Sequence, residues 1–431
     1  MGSIASDSYN QNIQGVAAKM IHPAKNLRQA VCKHFPKLHQ SFHSDRDFNL
    51  FLAVGFFSGI SSGITTSCFN NYLNDVYHLS EAARGIVEFP RELPGALLIF
   101  IFAVLNFVSD IKLAAISMIL ASLGMLGLGV LSPGFAFMLI WMVVLNLGTH
   151  LFMPLAPGIG MNLSKQEQYG VRLGRYNAYN LTAAIIGYLI VWLGFQYFHI
   201  SYTFTFAVAS VCYLIAGGIL LLMKPQKTRR PKTRFVIKKK FTLYYLLSIV
   251  NGARKQIFLT FAPWVLIKVY HLGTPSFALL GFVIAFVSIT TRTIVGKAID
   301  KLGERIILSA EAIVLILLCM GYAFSADLFP VSVAVIITAA CYVLDNSLSA
   351  VEMARSTYVR KISEDPSEVI PTLSTGTSFD HVVAMTIPFF GGLIWTAFSY
   401  KFVFILAALI ALSNLFLSMR IKTPPARPIQ E

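Results

Sequence analysis

The chain has 431 residues, of which 56% are hydrophobic and 13% charged, with a mean hydropathy of +0.66 and a formal charge of +15. A soluble domain carries roughly 25% charged residues, so this composition excludes an ordinary water-soluble fold and points to lipid as the solvent. The positive charge excludes nothing until its placement is known, because membrane topology and nucleic-acid binding both call for lysine and arginine.

Residues 1–47 contain no continuous apolar stretch and no small-residue cleavage pattern, so a cleaved signal peptide is not expected. Leu27, Val31, Phe35 and Leu38 share one helical face among Lys25, Arg28, Lys33 and Lys37. That pattern suits a short helix on an anionic membrane surface, in contact with lipid headgroups. A disordered tail is the alternative, since Pro36 interrupts the pattern. His22, His34, His39 and His43 lack the close spacing of a ligand set. Cys32, Cys68, Cys212, Cys319 and Cys341 form no metal spacing either, and all but Cys32 sit in apolar runs as small packing residues. No metal and no cofactor are expected.

Crossing about 30 Å of hydrocarbon takes about twenty apolar residues. Such runs fall near 48–69, 84–108, 112–132, 135–160, 176–197, 201–223, 241–268, 275–297, 305–326, 329–355, 371–397 and 400–420. The fold class predicted is an all-α polytopic membrane protein with twelve transmembrane helices in two pseudo-symmetric six-helix bundles. The bundles cover 48–223 and 241–420, flanked by a cytoplasmic segment 1–47 and a tail 421–431. Between them lies a basic loop, 224–240, with nine Lys or Arg.

Loop charge tests this count. With the N-terminus in the cytoplasm, 28 of the 35 basic residues fall on the inner side, and the outer connections keep only Arg84, Lys268 and Lys401. A miscounted span would invert every later loop and spoil the segregation. The positive charge is therefore a topology signal, and nucleic acid is not an expected partner. A monomer in the plasma or inner membrane, with both ends cytoplasmic, is the expected form.

Between spans 8 and 9 the chain reads Gly296-Lys-Ala-Ile-Asp300-Lys-Leu-Gly303-Glu-Arg305. Together with the six–loop–six arrangement, this resembles the major facilitator superfamily and its loop pattern G-x-x-x-D-[RK]-x-G-x-[RK]. The resemblance covers roughly 48–420 and implies a conformational latch at Gly296, Asp300, Gly303 and Arg305. Gly296 would permit close helix approach, Asp300 would pair with basic groups and Gly303 would make a tight turn. The first-half counterpart, Asn106-Phe-Val-Ser-Asp110-Ile-Lys112, keeps the acid and one base but lacks both glycines. Arg172-Leu-Gly174-Arg175 resembles a further family pattern in loop 4–5. Span 5 lacks the Gly-Pro motif of drug/proton antiporters, and span 4 carries His150 where those exporters use an arginine. Multidrug export is demoted by these departures.

An ionisable residue at membrane depth costs several kcal/mol unless paired or hydrated, so it is a functional candidate. Arg254 and Lys255 lie about 20 Å along span 7 at 1.5 Å per residue. Asp380 and His381 of span 11, His150 of span 4 and Asp345 of span 10 are similarly deep. Glu88, Arg91 and Glu92 share one face of span 2. These nine residues are the candidates for substrate binding or coupling. Consecutive helical residues diverge by about 100°, so one of Arg254 and Lys255 can face a cavity while the other pairs with an acid. Arg292, four residues before Gly296, is assigned to the latch region. Gly55, Gly59 and Gly63 suit close helix contact, and Asn177, Tyr179 and Asn180 are further candidates for hydrogen-bonding a solute.

The function expected is secondary active transport of a small polar solute by alternating access. An anionic solute and proton coupling are both compatible with buried acids beside bases and histidines. No P-loop, metalloprotease motif or nucleophile elbow occurs, so an enzyme is not expected. The alternatives are a multidrug/proton antiporter and a non-transporting assembly or sensor protein of the same fold, whose deep charges would pair off and leave no cavity.

Overall fold

The computed structural model describes residues 46–105, 107–163, 169–224, 237–365 and 368–422. The expected membrane-surface helix, the N-terminal histidines, Cys32, Asn106 and most of the basic loop and tail lie outside the described residues. The described residues form twelve helical passages. The N half holds α1 (Arg46–Asp75), α2a and α2b (Glu81–Ala96 and Leu98–Val104), α3 (Asp110–Val130), α4 (Phe135–Asn162), α5 (Tyr169–Tyr197) and α6 (Tyr202–Leu221). The C half holds α7 (Thr242–Lys268), α8 (Thr274–Leu302), α9 (Glu304–Leu328), α10 (Val331–Ile362, with a 3-10 turn at Leu348–Val351), α11 (Val369–Ala397) and α12 (Tyr400–Met419).

Ten of these passages are long and apolar enough to cross a membrane. The two that fall short are α2 and α7, which carry Arg84, Glu88, Arg91 and Glu92, and Arg254 and Lys255. α2 falls short in length, its two helices having 16 and 7 residues, whereas α7, with 27 residues, falls short in apolar character. Passage 2 is one run in sequence but two helices in space. Pro90 and Pro94 lie inside α2a, and the helix breaks at Leu97 three residues after the second.

Small residues set the closest helix contacts. A Cβ at Gly59 would sit 2.2 Å from the Asn180 carbonyl oxygen and one at Gly63 would sit 2.3 Å from that of Ala184, so α1 and α5 pack backbone to backbone. Asn180 belongs to this packing, because its Nδ2 donates to the Gly55 carbonyl at 3.0 Å.

Three connections at the end opposite the start of α1 share one device. Tyr77-His78-Leu79-Ser80, Phe198-His199-Ile200-Ser201 and Tyr270-His271-Leu272-Gly273 each place the histidine at positive φ, 49°, 48° and 56°. The next residue's N–H returns to a carbonyl six residues back, Leu73, Gly194 and Leu266 respectively. Histidine tolerates the left-handed region better than most side chains, and the aliphatic residue after it folds back onto the helix end. The first and third copies occupy equivalent connections, 1–2 and 7–8, in the two halves.

At this end the halves are closed. The N-half core runs without a break into Trp264, Leu266, Ile267 and Phe277 of α7 and α8. Asn71 Nδ2 donates to the Leu272 carbonyl at 2.9 Å, and the Tyr202 hydroxyl lies 2.6 Å from Thr274 Oγ1. A Cβ at Gly85 would sit 2.2 Å from the Pro388 carbonyl oxygen, which brings α2a against α11.

Candidate functional site

The deep charges separate into two clusters. The first lines a cavity of about 390 Å³ that extends toward the end of the bundle where α1 begins and α12 ends. Its walls come from α7 (Tyr244, Ser248, Asn251, Arg254, Lys255), α10 (Asp345, Asn346, Arg355) and α11 (Gly376, Asp380), and among its lining residues Met153 alone belongs to the N half.

Arg254 and Lys255 both reach this cavity and both pair, where one had been expected to stay free. Their 100° divergence sends them to different helices. Arg254 Nη1 donates to Asp345 Oδ1 of α10 at 2.5 Å and Nη2 to Asn251 Oδ1 at 3.3 Å. Lys255 Nζ donates to Asp380 Oδ2 of α11. The pairs differ in access: the Arg254 and Asp345 side chains are 9% and 10% exposed, those of Lys255 and Asp380 39% and 18%. Asp380 fits against α7 because residue 252 is glycine, where a Cβ would meet Oδ1 at 2.2 Å. Oδ1, buried against this glycine, has no protein donor among the described residues, while Oδ2 takes the Lys255 bond.

Deeper toward the termini, Arg355 Nη2 donates to Glu311 at 2.6 Å and its Nη1 to Glu352 at 3.0 Å. Both residues fall within apolar runs of the sequence, Glu311 inside 305–326 and Arg355 at the end of 329–355. A lone acid at the seventh position of an apolar run and a base at a run's edge each look unremarkable, and their partnership spans 44 positions.

The second cluster lies at the interface between the halves. Glu88, fully buried, accepts from Arg84 Nη1, from Arg91 Nε at 2.6 Å and from Gln256 Nε2 of α7 at 2.8 Å. Arg84 had been placed in an outer connection, but it is 2% exposed, donates to Asn70 at 3.0 Å and lies over the Trp264 ring. Moving it inside leaves the outer connections poorer still in positive charge. Arg91 Nη2 pairs with Glu92 Oε1 at 2.9 Å. Glu92 Oε2 faces His150 Nε2 at 3.6 Å and His381 Nδ1 at 3.3 Å. One expected mid-depth site is thus two, since position along a helix is legible from residue count and the half a side chain turns toward is not.

The latch residues are also placed. Gly303 has φ +80° and separates α8 from α9, a conformation that favours glycine. Gly296 was expected to permit close helix contact, yet a Cβ there would meet nothing within 4 Å. Asp300, Arg305 and Arg292 are exposed, whereas Asp110 is 6% exposed at the start of α3. The buried acid of this loop is Glu304, paired with Lys361 at 2.7 Å.

The family model described as Major Facilitator Superfamily matches residues 51–365. No curated protein matches. Among solved structures, the nucleoside transporter NupG shares the fold with a TM-score of 0.69 at 12% identity, over 87% of this chain and 99% of that one. A bacterial homolog of the human lysosomal transporter Spinster, inward-facing and occupied, gives 0.65 at 16% identity over 88% and 98%. A D-xylose-proton symporter gives 0.61 at 16% identity over 88% and 99%.

Proposed function

The chain belongs to the major facilitator superfamily, and from that premise we propose that it moves a small polar solute through the C-half cavity by alternating access, coupled to protons. The fold is that of a membrane transporter and implies a small-molecule substrate. The observation that carries the finer reading is the cavity walled by two ion pairs of unequal access. Its volume falls within the range of small-molecule sites.

The exposed pair is where a solute competes. An anionic group on the solute takes Lys255 from Asp380, and a hydroxyl or amino group on it donates to the Asp380 Oδ2 that Lys255 gives up. Arg254 is held on two sides, so its pair with Asp345 is the structural partner of the site. Proton uptake by Asp345 would release Arg254 and loosen α10 from α7, which makes that pair the proposed coupling point. The orientation proposed has both ends cytoplasmic in the plasma or inner membrane, so the cavity faces inward, and the protein acts as a monomer.

A non-transporting protein of the same fold would have its deep charges paired and no cavity beside them. The charges are paired and the cavity is present, which favours transport.

The test is a thermal-shift screen of purified protein against polar metabolites, with and without a carboxylate. Compounds that stabilise the wild type should lose that effect in Lys255→Ala. If none stabilises it, or the stabilisation survives in Lys255→Ala, the assignment of this cavity fails.

A further inference from the structure

Glu92, His150 and His381 come from α2a, α4 and α11, and thus from both halves. Each turns one ligand-type atom to a common point, with all three atoms within 4.8 Å of one another. The tautomer of His150 decides what can sit between them. Its Nδ1 lies 2.8 Å from the Asn146 carbonyl oxygen, which can only accept, so Nδ1 carries the proton. In the neutral ring the lone pair of Nε2 then faces Glu92 Oε2 at 3.6 Å. His381 Nδ1 faces the same oxygen at 3.3 Å.

An unprotonated ring nitrogen and a carboxylate oxygen turned on each other repel unless a cation lies between them, either a proton that makes the imidazolium or a metal ion. A tetrahedral zinc-type site with bonds of about 2.0–2.1 Å holds its ligand atoms about 3.4 Å apart. The two separations to Glu92 Oε2 bracket that edge, and the histidine ligand atoms lie within 4.8 Å of each other. The outer contacts match what fixes metal ligands in general, a ring N–H given to a backbone carbonyl and a carboxylate held by a further partner. Here these are the Asn146 carbonyl on His150 and Arg91 on Glu92 Oε1 at 2.9 Å. Gly95 leaves the room, since a Cβ there would lie 2.7 Å from His150 Cδ2 and 2.8 Å from His381 Cε1.

We propose that Glu92, His150 and His381 bind a divalent transition-metal ion of the zinc type, with water in the fourth position, and that the ion pins α2a and α4 to α11. None of the three lines the C-half cavity, so the site does not rest on the transport reading. Arg84 and Arg91 offset Glu88 and Glu92, which leaves the cluster near neutral and makes the two imidazoles the source of affinity. Imidazole donors select zinc, copper or nickel over magnesium and calcium.

The experiment titrates the purified full-length protein with zinc chloride at pH 7.5 while following thermal unfolding, with magnesium chloride as the control. A saturable rise in midpoint at micromolar zinc is expected, absent with magnesium and retained in His271→Ala, a surface histidine. The rise should vanish in His150→Ala, His381→Ala and Glu92→Gln. Cobalt(II) should give the visible absorption of a tetrahedral complex, which zinc abolishes. Where an alanine variant does not fold, His150→Gln and His381→Gln keep the volume and are read by the cobalt spectrum. No zinc-dependent shift, a shift that survives in the histidine variants, or stabilisation produced by acid alone with no zinc effect overturns the site.

Discussion

Gln256 Nε2 donates to Glu88 Oε2 at 2.8 Å across the interface between the halves, one residue beyond Lys255. The helix that carries both cavity cations is thereby tied to the most buried acid of the N half. A rearrangement that opens the closed end must break this bond and leave a buried carboxylate one donor short. Gln256→Leu removes the tie at similar volume and should favour the opposite conformation. Cys68, Cys212, Cys319 and Cys341 are all buried, so a Cys32→Ser background carrying Thr274→Cys reports on the closed end. Adding Gln256→Leu should speed labelling there by a membrane-impermeant thiol reagent severalfold, and an unchanged rate would show that the bond does not hold the closure.

The Arg254–Asp345 pair makes a stability prediction. Removing one partner of a buried pair costs about 3–5 kcal/mol, because the other charge stays buried and uncompensated, whereas replacing both can be neutral. Arg254→Met alone and Asp345→Leu alone should each lower the unfolding midpoint markedly, and the double variant should recover most of the loss. Flux should be absent from all three. Recovery of flux in the double variant would remove the pair from the mechanism.

Two glycines separate packing from pattern. Gly85→Ala drives a Cβ into the Pro388 backbone carbonyl, which cannot move aside as a side-chain tip can. It should destabilise the contact between α2a and α11 by about 1–3 kcal/mol. Gly296→Ala meets open space and should leave the midpoint unchanged in this conformation. Equal effects from the two would contradict the packing described.

Outside the membrane, Lys238 and Lys240 both donate to Glu368 at 2.6 Å and hold its carboxyl down at about 2, against an ordinary value of 4.5. A depressed folded-state value means the contribution is whole above pH 4.5 and is lost as pH falls toward 2. The difference in unfolding midpoint between wild type and Glu368→Gln should therefore stay constant from pH 8 to about 5 and shrink below 4.5. A difference that grows on acidification would reverse the sign and refute the pairing.

Much of the fold was legible because lipid imposes a simple rule: apolar runs of sufficient length cross, and basic loops stay on one side. What escaped reading were contacts that rule does not govern. The break at Leu97 was not legible, because Pro90 and Pro94 are both accommodated inside α2a and the helix ends only after them. The three left-handed histidines escaped because histidine is not a common turn residue, although their repeat Tyr/Phe-His-Leu/Ile-Ser/Gly stands in the sequence. Depth along the helices identified Arg254, Asp345, Asp380 and the span 2 face as groups at one level. The partition of those groups between cavity and interface depends on helix rotation and on residues such as Gly252, Gly95 and Gln256, whose roles exist only against a neighbouring helix.

The central claim is that the Lys255–Asp380 pair forms the contact a transported solute must open. The most direct measurement is flux of a radiolabelled stabilising compound into proteoliposomes, with and without an imposed pH gradient, for wild type, Lys255→Ala and Asp380→Asn. The account predicts gradient-stimulated uptake by the wild type and background uptake by both variants, each reconstituted as folded protein. Near wild-type flux from either variant would contradict it.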